Sequence, residues 1–359
     1  MRGTNCAEAE TFATTDLLPQ DAQALLDDPG SGVFAGRTWW DVVLANAMPG
    51  GARALFVAIR SAGQTLALLP MLRTGNRLTS LTTPYTCEYA PACAAGLDQA
   101  TRIAAMVAFG RFCRPCGVVR LDSLPAEWNG LGDLENGARR AGLHVLRFDH
   151  FGNWYEDVAG LDWSAYVLGR AGALRETIKR RLRRADKLPH AQFDLLTREA
   201  QMDRAVQAFE SVYQRSWKDA EPFPAFNAAL MRASAASGML RFGVWSIGSQ
   251  PVAVQFWVVR NGHAIVLKLA HDEAFKAHSP GTVLTALMLR HLLDQEHVTQ
   301  IDFGRGDDAY KQGWATRRRQ RIGVLLVNPW RISGMAAVTR HTLGRFRAAL
   351  RGSRPITPN

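Results

Sequence analysis

The sequence predicts an α/β fold of the α+β kind, with two domains that each hold a mixed, mostly antiparallel sheet flanked by helices. The chain has 359 residues, which exceeds one ordinary compact core and suits two domains. Two stretches share the order strand, glycine turn, strand: LFVAIRSAGQTLALLPML from Leu55 and RFGVWSIGSQPVAVQFWV from Arg241. A helical segment and a short apolar strand follow each stretch, which predicts two copies of one domain.

In the first half, two strands flank the turn Ala62-Gly63, and a third strand precedes a long helix and a short strand. The predicted strands are Ala54–Arg60, Gln64–Leu72, Arg77–Leu81 and Val118–Asp122, and the predicted helix is Asp98–Cys116.

The second half repeats this order with stronger turn signals. Gly248-Ser249 and Asn261-Gly262 separate three runs rich in Val, Ile, Phe and Trp, which predicts an antiparallel meander. The predicted strands are Leu240–Ile247, Pro251–Val259, His263–Leu269, Thr299–Phe303 and Ile322–Val327, and the predicted helix is Pro280–Gln295.

These elements give four predicted regions. Residues 1–30 form an N-terminal segment, residues 31–165 the first domain, residues 166–330 the second domain, and residues 331–359 a basic C-terminal tail. We place the boundary between the domains at Gly160 to Gly172, before a basic helical segment.

The composition is that of a globular protein, with 47% hydrophobic and 21% charged residues. No apolar stretch approaches the roughly 20 residues of a membrane helix. The first residues lack an apolar core and include Glu8, Glu10 and Asp16, so we expect a cytoplasmic protein. The five cysteines are an odd number, which favours free thiols over disulfides. Cys113-Arg-Pro-Cys116 has the spacing of half a zinc site, but a helical position is the better interpretation, and we expect no metal.

The charge is concentrated near the C-terminus. The net charge is +11, and residues 311–359 contain eleven Lys and Arg residues and no acidic residue, so they account for the whole excess. This favours a local anionic partner, such as an anionic glycolipid or the inner membrane surface, over DNA. A possible basic amphipathic helix at Gly334–Arg351 is compatible with peripheral membrane contact or with packing on the domain.

The start of the second predicted long helix is a candidate anion site. Ser279 is a favoured N-cap, Pro280 a favoured first residue, and Gly281 leaves the neighbouring backbone N–H groups, including that of Thr282, unshielded. Such N–H groups and the helix dipole suit a phosphate or a carboxylate. The alternative is that Ser-Pro-Gly only marks a helix start.

A glycine-rich turn follows the next strand. Gly304 and Gly306 let the chain turn so that Tyr310 and Lys311 face back toward the preceding helix. A lysine there is suited to stabilising the negative charge that develops in acyl transfer, and a tyrosine to donating a proton to a leaving thiolate. The alternative makes Tyr310 a core aromatic residue and Lys311 a surface charge; for Asp302 we favour a structural cap.

In this order the motifs RETIKRRLRRADK, Ser216-Trp217, VAVQFW, AHDEAFKAHSPGTVL and IDFGRGDDAYKQGW resemble the FemAB-like and CelD-like branch of the GNAT acyltransferase superfamily. The resemblance is specific from Arg175 to Val327 and looser from Gly32 to Leu161. It implies tandem GNAT-like domains and transfer of an acyl group, from acyl-CoA or aminoacyl-tRNA, to an amine.

The resemblance also implies roles for individual residues. Lys311 matches the lysine of the family's Phe-Lys motif, with Tyr310 in place of the aromatic neighbour, and His271 ends the strand beside which such a fold opens, where it is a candidate base. The family's basic segment, associated with an anionic substrate, suggests substrate-binding roles for Lys179, Arg180, Arg183, Arg184 and Trp217. A solvated helix face is the alternative for the basic residues.

We therefore expect an N-acyltransferase (acetyltransferase) with no tightly bound cofactor. Acyl-CoA is the expected co-substrate, and the acceptor is an amine on a sugar, lipid or cell-envelope precursor. Some tRNA-using members of the family carry a long coiled-coil insertion, and none interrupts this chain, so charged tRNA is the less favoured donor. Against CoA, His278-Ser279-Pro280-Gly281 departs from the usual GNAT loop that binds the pyrophosphate of CoA. The alternatives are a FemAB-type transferase acting on peptidoglycan precursors and a non-catalytic accessory protein of exopolysaccharide assembly.

Overall fold

The structure, a computed structural model, describes residues 6–332, 334 and 335. Their contacts divide the chain into two compact units. The first unit contains residues up to 28, residues 48–150 and the described residues from 321 onward, and the second contains residues 29–47 and 151–320. The chain therefore enters each unit more than once, which the expected boundaries at residues 30, 165 and 330 do not reproduce.

Strands and helices are interspersed along the described part of the chain. The strands are β1 (Glu8–Phe12), β2 (Ala52–Ser61), β3 (Gln64–Thr74), β4 (Arg77–Ser80), β5 (Ala92–Cys93), β6 (Val118–Pro125), β7 (His144–Asp157), β8 (Ala191–Leu196), β9 (Leu240–Ile247), β10 (Gln250–Arg260), β11 (His263–His271), β12 (Gln300–Arg305) and β13 (Arg317–Val327). The helices are α1 (Gln20–Asp27), α2 (Arg37–Asn46), α3 (Gln99–Cys113), α4 (Leu131–Arg140), α5 (Trp163–Leu168), α6 (Gly172–Ala185), α7 (Met202–Gln214), α8 (Pro224–Ala236), α9 (Pro280–Asp294) and α10 (Lys311–Trp314).

In the first unit the strand order is β1-β2-β3-β4-β6-β13, with β5 paired to β3. The pairing of β4 with β6 is parallel and involves two residue pairs, Leu78 with Val119 and Thr79 with Arg120. The paired strands on either side are antiparallel. Because β1 pairs with β2 along its length, the segment expected to stand apart at residues 1–30 contributes a strand to this sheet.

In the second unit the strand order is β7-β12-β11-β10-β9-β8. The strands β8 to β11 form an antiparallel meander, and β11 pairs in parallel with β12. Helix α9 lies against this sheet and buries Val283, Leu284, Leu289 and Leu292 in the same core as Trp257. Helix α2 belongs to this unit, where the ring centroids of Trp39 and Phe226 are 5.6 Å apart.

The mixed α/β fold class is confirmed, and so is the repeated order. In each unit a meander is followed by a long helix and a strand, and this strand pairs in parallel with the last meander strand. The pattern of the two halves therefore has a structural counterpart.

Two further expectations concern the C-terminal tail and membrane-spanning helices. The possible C-terminal helix and most of the basic tail at 331–359, with the membrane contact expected of them, lie outside the described residues. Among the helices that are described, none combines the length and apolar character needed to cross a membrane.

Candidate functional site

The candidate site lies where β11 and β12 separate. Strand β11 has nine residues, but its pairing with β12 is limited to His263 with Gln300, Ala264 with Ile301 and Ile265 with Asp302. Beyond Ile265 the two strands no longer pair, so the edge of β11 leaves backbone groups without a strand partner. The register shift opposite Phe256 and Trp257 falls in the same part of β11. The sheet thus opens toward the carboxyl ends of these two strands.

Helix α9 begins at this end of the sheet, after a 3-10 turn at Glu273–His278. Pro280 is its first residue, as expected, but the expected N-cap bond of Ser279 is absent. Ser279 is left-handed, with φ of 54°, and its side chain accepts no bond from the helix. The N–H groups of Gly281 and Thr282 belong to the first turn and have no acceptor within the helix. The helix start is therefore uncapped.

The corresponding helix of the first unit differs at this point. Asp98 caps α3, and its Oδ1 atom accepts a 2.7 Å hydrogen bond from the backbone N–H of Thr101. A carboxylate thus occupies the positive end of the α3 dipole, whereas the start of α9 has no such group. Of these two helix starts, that of α9 is suited to an external anion.

His271 ends β11 and lies beside the start of α9. A Cβ atom at Gly281 would lie 3.5 Å from its Nδ1 atom, which is buried and has no hydrogen-bond partner among the described residues. Its Nε2 atom lies 3.3 Å from Oε1 of Glu273. Burial lowers the pKa of His271, and the nearby Glu273 carboxylate offsets this only in part. The imidazole is therefore predominantly neutral near pH 7.

Trp217 covers His271, with ring centroids 4.4 Å apart, and remains 51% exposed. The segment before it is fixed by Arg215, whose Nε atom lies 2.6 Å from Oδ2 of Asp272. Asp272 also caps the 3-10 turn by accepting a bond from the N–H of Ala274. The carboxylate near His271 is therefore that of Glu273, and the neighbouring Asp272 is engaged with Arg215 and Ala274.

The glycine turn after β12 has the predicted form, since Gly304 and Gly306 have φ of 68° and 102°. Asp302 holds this turn: its Oδ1 atom accepts from the N–H of Gly304 at 2.6 Å and from Nδ2 of Asn153 at 2.7 Å. Asp302 is 4% exposed, and the structural role expected for it is confirmed.

Lys311 is 3% exposed and points into the same turn. Its Nζ atom donates to the carbonyl oxygens of Arg305 at 2.7 Å and Gly306 at 3.3 Å, and it lies 3.0 Å from Oδ2 of Asp308. An ammonium group has three N–H donors. All three have partners in this geometry, so Lys311 is a buried ion that holds the turn and not the surface charge of the alternative interpretation. Its expected role in stabilising the charge of acyl transfer stays a prediction.

Tyr310 is not the core aromatic residue of the alternative interpretation, because 42% of it is exposed. Desolvation of its hydroxyl raises the pKa of Tyr310, and the Asp308 carboxylate raises it further. The phenol therefore stays protonated at neutral pH and carries an O–H donor, although the raised pKa makes it a weaker acid than an ordinary tyrosine.

The structure adds two lysines that the sequence did not indicate. Lys268 on β11 pairs with Glu221, at 2.5 Å between Nζ and Oε1. Lys218 lies with its Nζ atom 5.4 Å from the centroid of the Trp217 ring. Burial lowers the pKa of Lys218, the Lys268 ammonium lowers it further, and the carboxylates of Glu221 and Asp308 oppose the change. A single lysine in the apolar run VLKLAH was the available signal for Lys268.

A buried network holds α10 from behind. Arg170 donates to the carbonyl oxygen of Trp314 at 3.0 Å and to Oε1 of Glu156 at 2.5 Å. The other oxygen of Glu156 accepts from the N–H and the hydroxyl of Thr316, at 2.6 and 2.7 Å. The hydroxyl of Tyr166 donates to the same Trp314 carbonyl. This network fixes Trp314, the last residue of α10, and with it the short helix that follows the glycine turn.

The basic residues expected to bind substrate lie on α6. Lys179, Arg180, Arg183 and Arg184 are exposed and make no hydrogen bond or ion pair with the described residues around the opening. Among the predicted residues, the structure therefore brings together those at the start of α9 with His271 and Trp217, and those of the glycine turn with Lys311. It leaves the basic helix outside this group.

Residues 172–312 match the family model described as Acetyltransferase (GNAT) domain. The matched segment contains α9, the opening between β11 and β12, and Lys311. A comparison with curated proteins by sequence finds no match.

Solved structures share the fold at low sequence identity. FemX is 9% identical, with a TM-score of 0.58 over 89% of this chain and 98% of the FemX chain. L-PGS from Bacillus licheniformis is 12% identical, with a TM-score of 0.54 over 90% of this chain and 96% of its own. The C-terminal domain (DUF2156) of a protein assigned as a lysylphosphatidylglycerol synthetase, from Agrobacterium fabrum, is 12% identical, with a TM-score of 0.52 over 82% of this chain and 89% of its own.

Proposed function

We propose that this protein is an N-acyltransferase that moves an acyl group from acyl-CoA to an amine. The observation that carries the proposal is the opening between β11 and β12 beside the uncapped start of α9, within the segment that matches the GNAT acetyltransferase domain. An opening of this kind admits an extended ligand, and the helix start binds its anionic end.

The donor is held at two places. The N–H groups of Gly281 and Thr282 face the phosphates of CoA, where the helix dipole adds a favourable interaction with negative charge. The unpaired edge of β11 beyond Ile265 offers backbone groups to the amides of the pantetheine arm, as a sheet edge does for an added strand. The thioester then lies between the ends of β11 and β12.

The reaction needs a base for the amine and an acid for the thiolate. The amine nitrogen attacks the thioester carbonyl, the carbon–nitrogen bond forms, and the carbon–sulfur bond breaks. Neutral His271, oriented by Glu273, accepts the proton that the amine loses, and Tyr310 donates a proton to the departing thiolate. The products are an amide and free CoA, and passage of the proton from His271 to Tyr310 through solvent restores both residues.

Lys311 acts in this proposal as a positioning residue. Its ammonium group joins the carbonyl oxygens of Arg305 and Gly306 and thereby fixes the turn that carries Tyr310. A loose turn would place the acid wrongly, and misplacement of such a group is costly for rate.

We propose an acceptor amine on a cell-envelope precursor. Support comes from the structures that share the fold, which include FemX and a protein assigned as a lysylphosphatidylglycerol synthetase. The resemblance of the sequence to the FemAB-like branch makes aminoacyl-tRNA the competing donor.

The test is product analysis by mass spectrometry. The protein is incubated with acetyl-CoA or with charged tRNA, together with glucosamine, a lysine-containing peptide or vesicles of phosphatidylethanolamine. We expect acetyl-CoA to bind and an acetylated amine to form with release of CoA. If product forms with charged tRNA and not with acetyl-CoA, the donor is aminoacyl-tRNA instead of acyl-CoA. Failure of both donors to bind would overturn the enzyme proposal in favour of an accessory role.

A further inference from the structure

A groove of about 590 Å³ lies between α5 and α6, within the second unit. Its walls are apolar and come from both helices: Trp163, Val167, Leu168, Ile178 and Leu182. Ile178 is 2% exposed and belongs to the core, so the floor of the groove is fixed. The groove is thus a stable apolar recess on the surface of the unit.

One wall of the groove extends into solvent. Leu168, the last residue of α5, is 70% exposed, and no described residue covers it. Its carbonyl oxygen accepts a hydrogen bond from Nη1 of Arg175 at 3.2 Å, which fixes the end of α5 against α6. Together with the apolar walls of the groove, Leu168 forms one contiguous apolar surface with a polar rim, which is the kind of surface that binds an apolar ligand or a membrane.

The rim of the groove is basic. Arg175, Lys179 and Arg183 line it, together with Glu176 and Asp186. The exposed basic residues of α6 and the turn after it have no hydrogen-bond or ion-pair partner among the described residues: Lys179, Arg180, Arg183, Arg184 and Lys187.

Several of these residues are also four positions apart on the helix, as Lys179 and Arg183 are. Like charges at this spacing destabilise a helix. Some exposed basic residues elsewhere on this unit are paired, as Arg204 is with Asp194 and Arg232 with Asp203. The cations of α6 differ from these because five of them are clustered without a partner, and such a cluster is suited to an external anion.

We propose that the α5–α6 groove is a membrane-docking site for an anionic phospholipid. Lys179 and Arg183 bind the lipid phosphate, the neighbouring cations face the anionic surface, and Leu168 enters the interface while an acyl chain occupies the groove. Lipid anions attract clustered Lys and Arg residues, and buried apolar groups add to the binding.

The groove distinguishes a lipid from RNA as the partner. RNA binds to cations and to aromatic faces free to stack on bases. The aromatic residue of this groove, Trp163, already stacks on Tyr166, with ring centroids 6.0 Å apart. RNA would also leave Leu168 and the apolar walls without a contact, whereas a phospholipid uses both features.

The experiment is co-sedimentation of the full chain with vesicles of phosphatidylcholine alone or mixed with phosphatidylglycerol. It measures no acyl transfer, so its outcome is separate from that of the proposed function. We expect binding to the mixed vesicles and about a tenfold or greater loss of the partition coefficient in the double variant K179E/R183E. The variant Leu168→Ser should weaken binding most at high salt, where the charge contribution is screened.

The control is the double variant R77E/R290E, which makes the same change of charge at two exposed positions that do not line the groove. It should retain most of the binding, and unfolding temperatures should show that all variants are folded. Equal binding of wild type and K179E/R183E would overturn the proposal and direct attention to the C-terminal basic residues. Loss of tRNA binding in K179E/R183E, with vesicle binding unchanged by Leu168→Ser, would make α6 an RNA surface instead.

Discussion

The Nζ atom of Lys311 lies 2.7 Å from the carbonyl oxygen of Arg305. This contact joins the last residue of β12 to the first residue of α10 across the glycine turn. Because Lys311 is 3% exposed and also contacts Gly306 and Asp308, its ammonium group replaces water for groups that the turn leaves unpaired. The turn, and Tyr310 with it, depends on this lysine.

Replacement of Lys311 by methionine should therefore reduce stability as well as turnover. Two backbone carbonyls and Asp308 lose a partner, so we expect a loss of about 1–3 kcal/mol in the free energy of unfolding, measured by urea denaturation. Lys276→Met is the control: this lysine is 75% exposed and pairs with Glu273 at 3.5 Å, so its loss should cost about 0–1 kcal/mol. A K311M protein of wild-type stability without turnover would instead give the lysine a direct chemical role.

Gly306→Ala tests the turn from the backbone. The φ of Gly306 is 102°, a conformation that costs a residue with a Cβ atom about 1–3 kcal/mol, although space is available because the nearest atom would be Oδ2 of Asp308 at 3.4 Å. We expect that loss of stability, and a lower kcat, from the same urea and rate measurements. Gly313→Ala, at a position without positive φ, should change stability by roughly 0.5 kcal/mol or less. Equal effects of the two changes would refute the importance of the turn conformation.

Glu156 should make stability depend on pH in the acidic range. Burial raises the pKa of Glu156, but the hydrogen bonds from Arg170 and Thr316 lower it more, so the folded pKa is below the usual value of 4.5. Its contribution is present above pH 4.5 and is lost as the pH falls through the folded pKa. Glu156→Gln should cost about 3–5 kcal/mol at pH 7, since Arg170 remains buried without its ion pair, and should flatten this acid loss.

The matched control for that variant is the neighbouring residue. Asp157 pairs with Arg317 at the surface, and Asp157→Asn should cost about 1 kcal/mol or less. Urea unfolding at pH 7 and at pH 4 measures both variants. An unchanged slope of stability against pH in Glu156→Gln would show that another group controls the acid response.

His271 should control the rate at low pH. Because burial lowers its pKa, the imidazole is neutral at pH 7, and kcat/KM should fall only when the pH drops below the ordinary value of 6.5. Stability should fall in the same direction, since the unfolded state then binds the proton more readily. In His271→Gln we expect kcat/KM to fall by about 100-fold or more, and its pH profile to show no inflection in this range. A wild-type inflection that survives in the variant would assign the base to another group.

The sequence predicted the elements that carry their own local signals. Both glycine-turn meanders, the helices after them and the strand before Gly304 were placed within a few residues. Hydrophobic runs between glycine turns specify strands locally, and Pro280 specifies a helix start. The positive φ values of Gly304 and Gly306 have the same local origin.

Features that depend on tertiary contacts were not predictable in this way. The membership of residues 29–47 in the second unit rests on contacts such as that of Asn261 with the carbonyl oxygen of Pro29, 2.7 Å long. The partners of Lys311 are set by how the turn closes, and the link between His271 and Glu273 by how the 3-10 turn follows β11. None of these distances follows from spacing along the chain.

The most direct test of the donor site is the affinity for acetyl-CoA of Thr282→Asp, measured by isothermal titration calorimetry. Thr282 lies in the first turn of α9, where an aspartate favours the helix dipole and so preserves folding, but repels a phosphate. Thr101→Asp makes the same change at the equivalent position of α3, which Asp98 already caps. We expect the Kd to rise about tenfold or more in Thr282→Asp, which corresponds to the loss of one charge-assisted hydrogen bond, and to stay unchanged in Thr101→Asp. Wild-type affinity in a folded Thr282→Asp protein would contradict the placement of the donor at the start of α9.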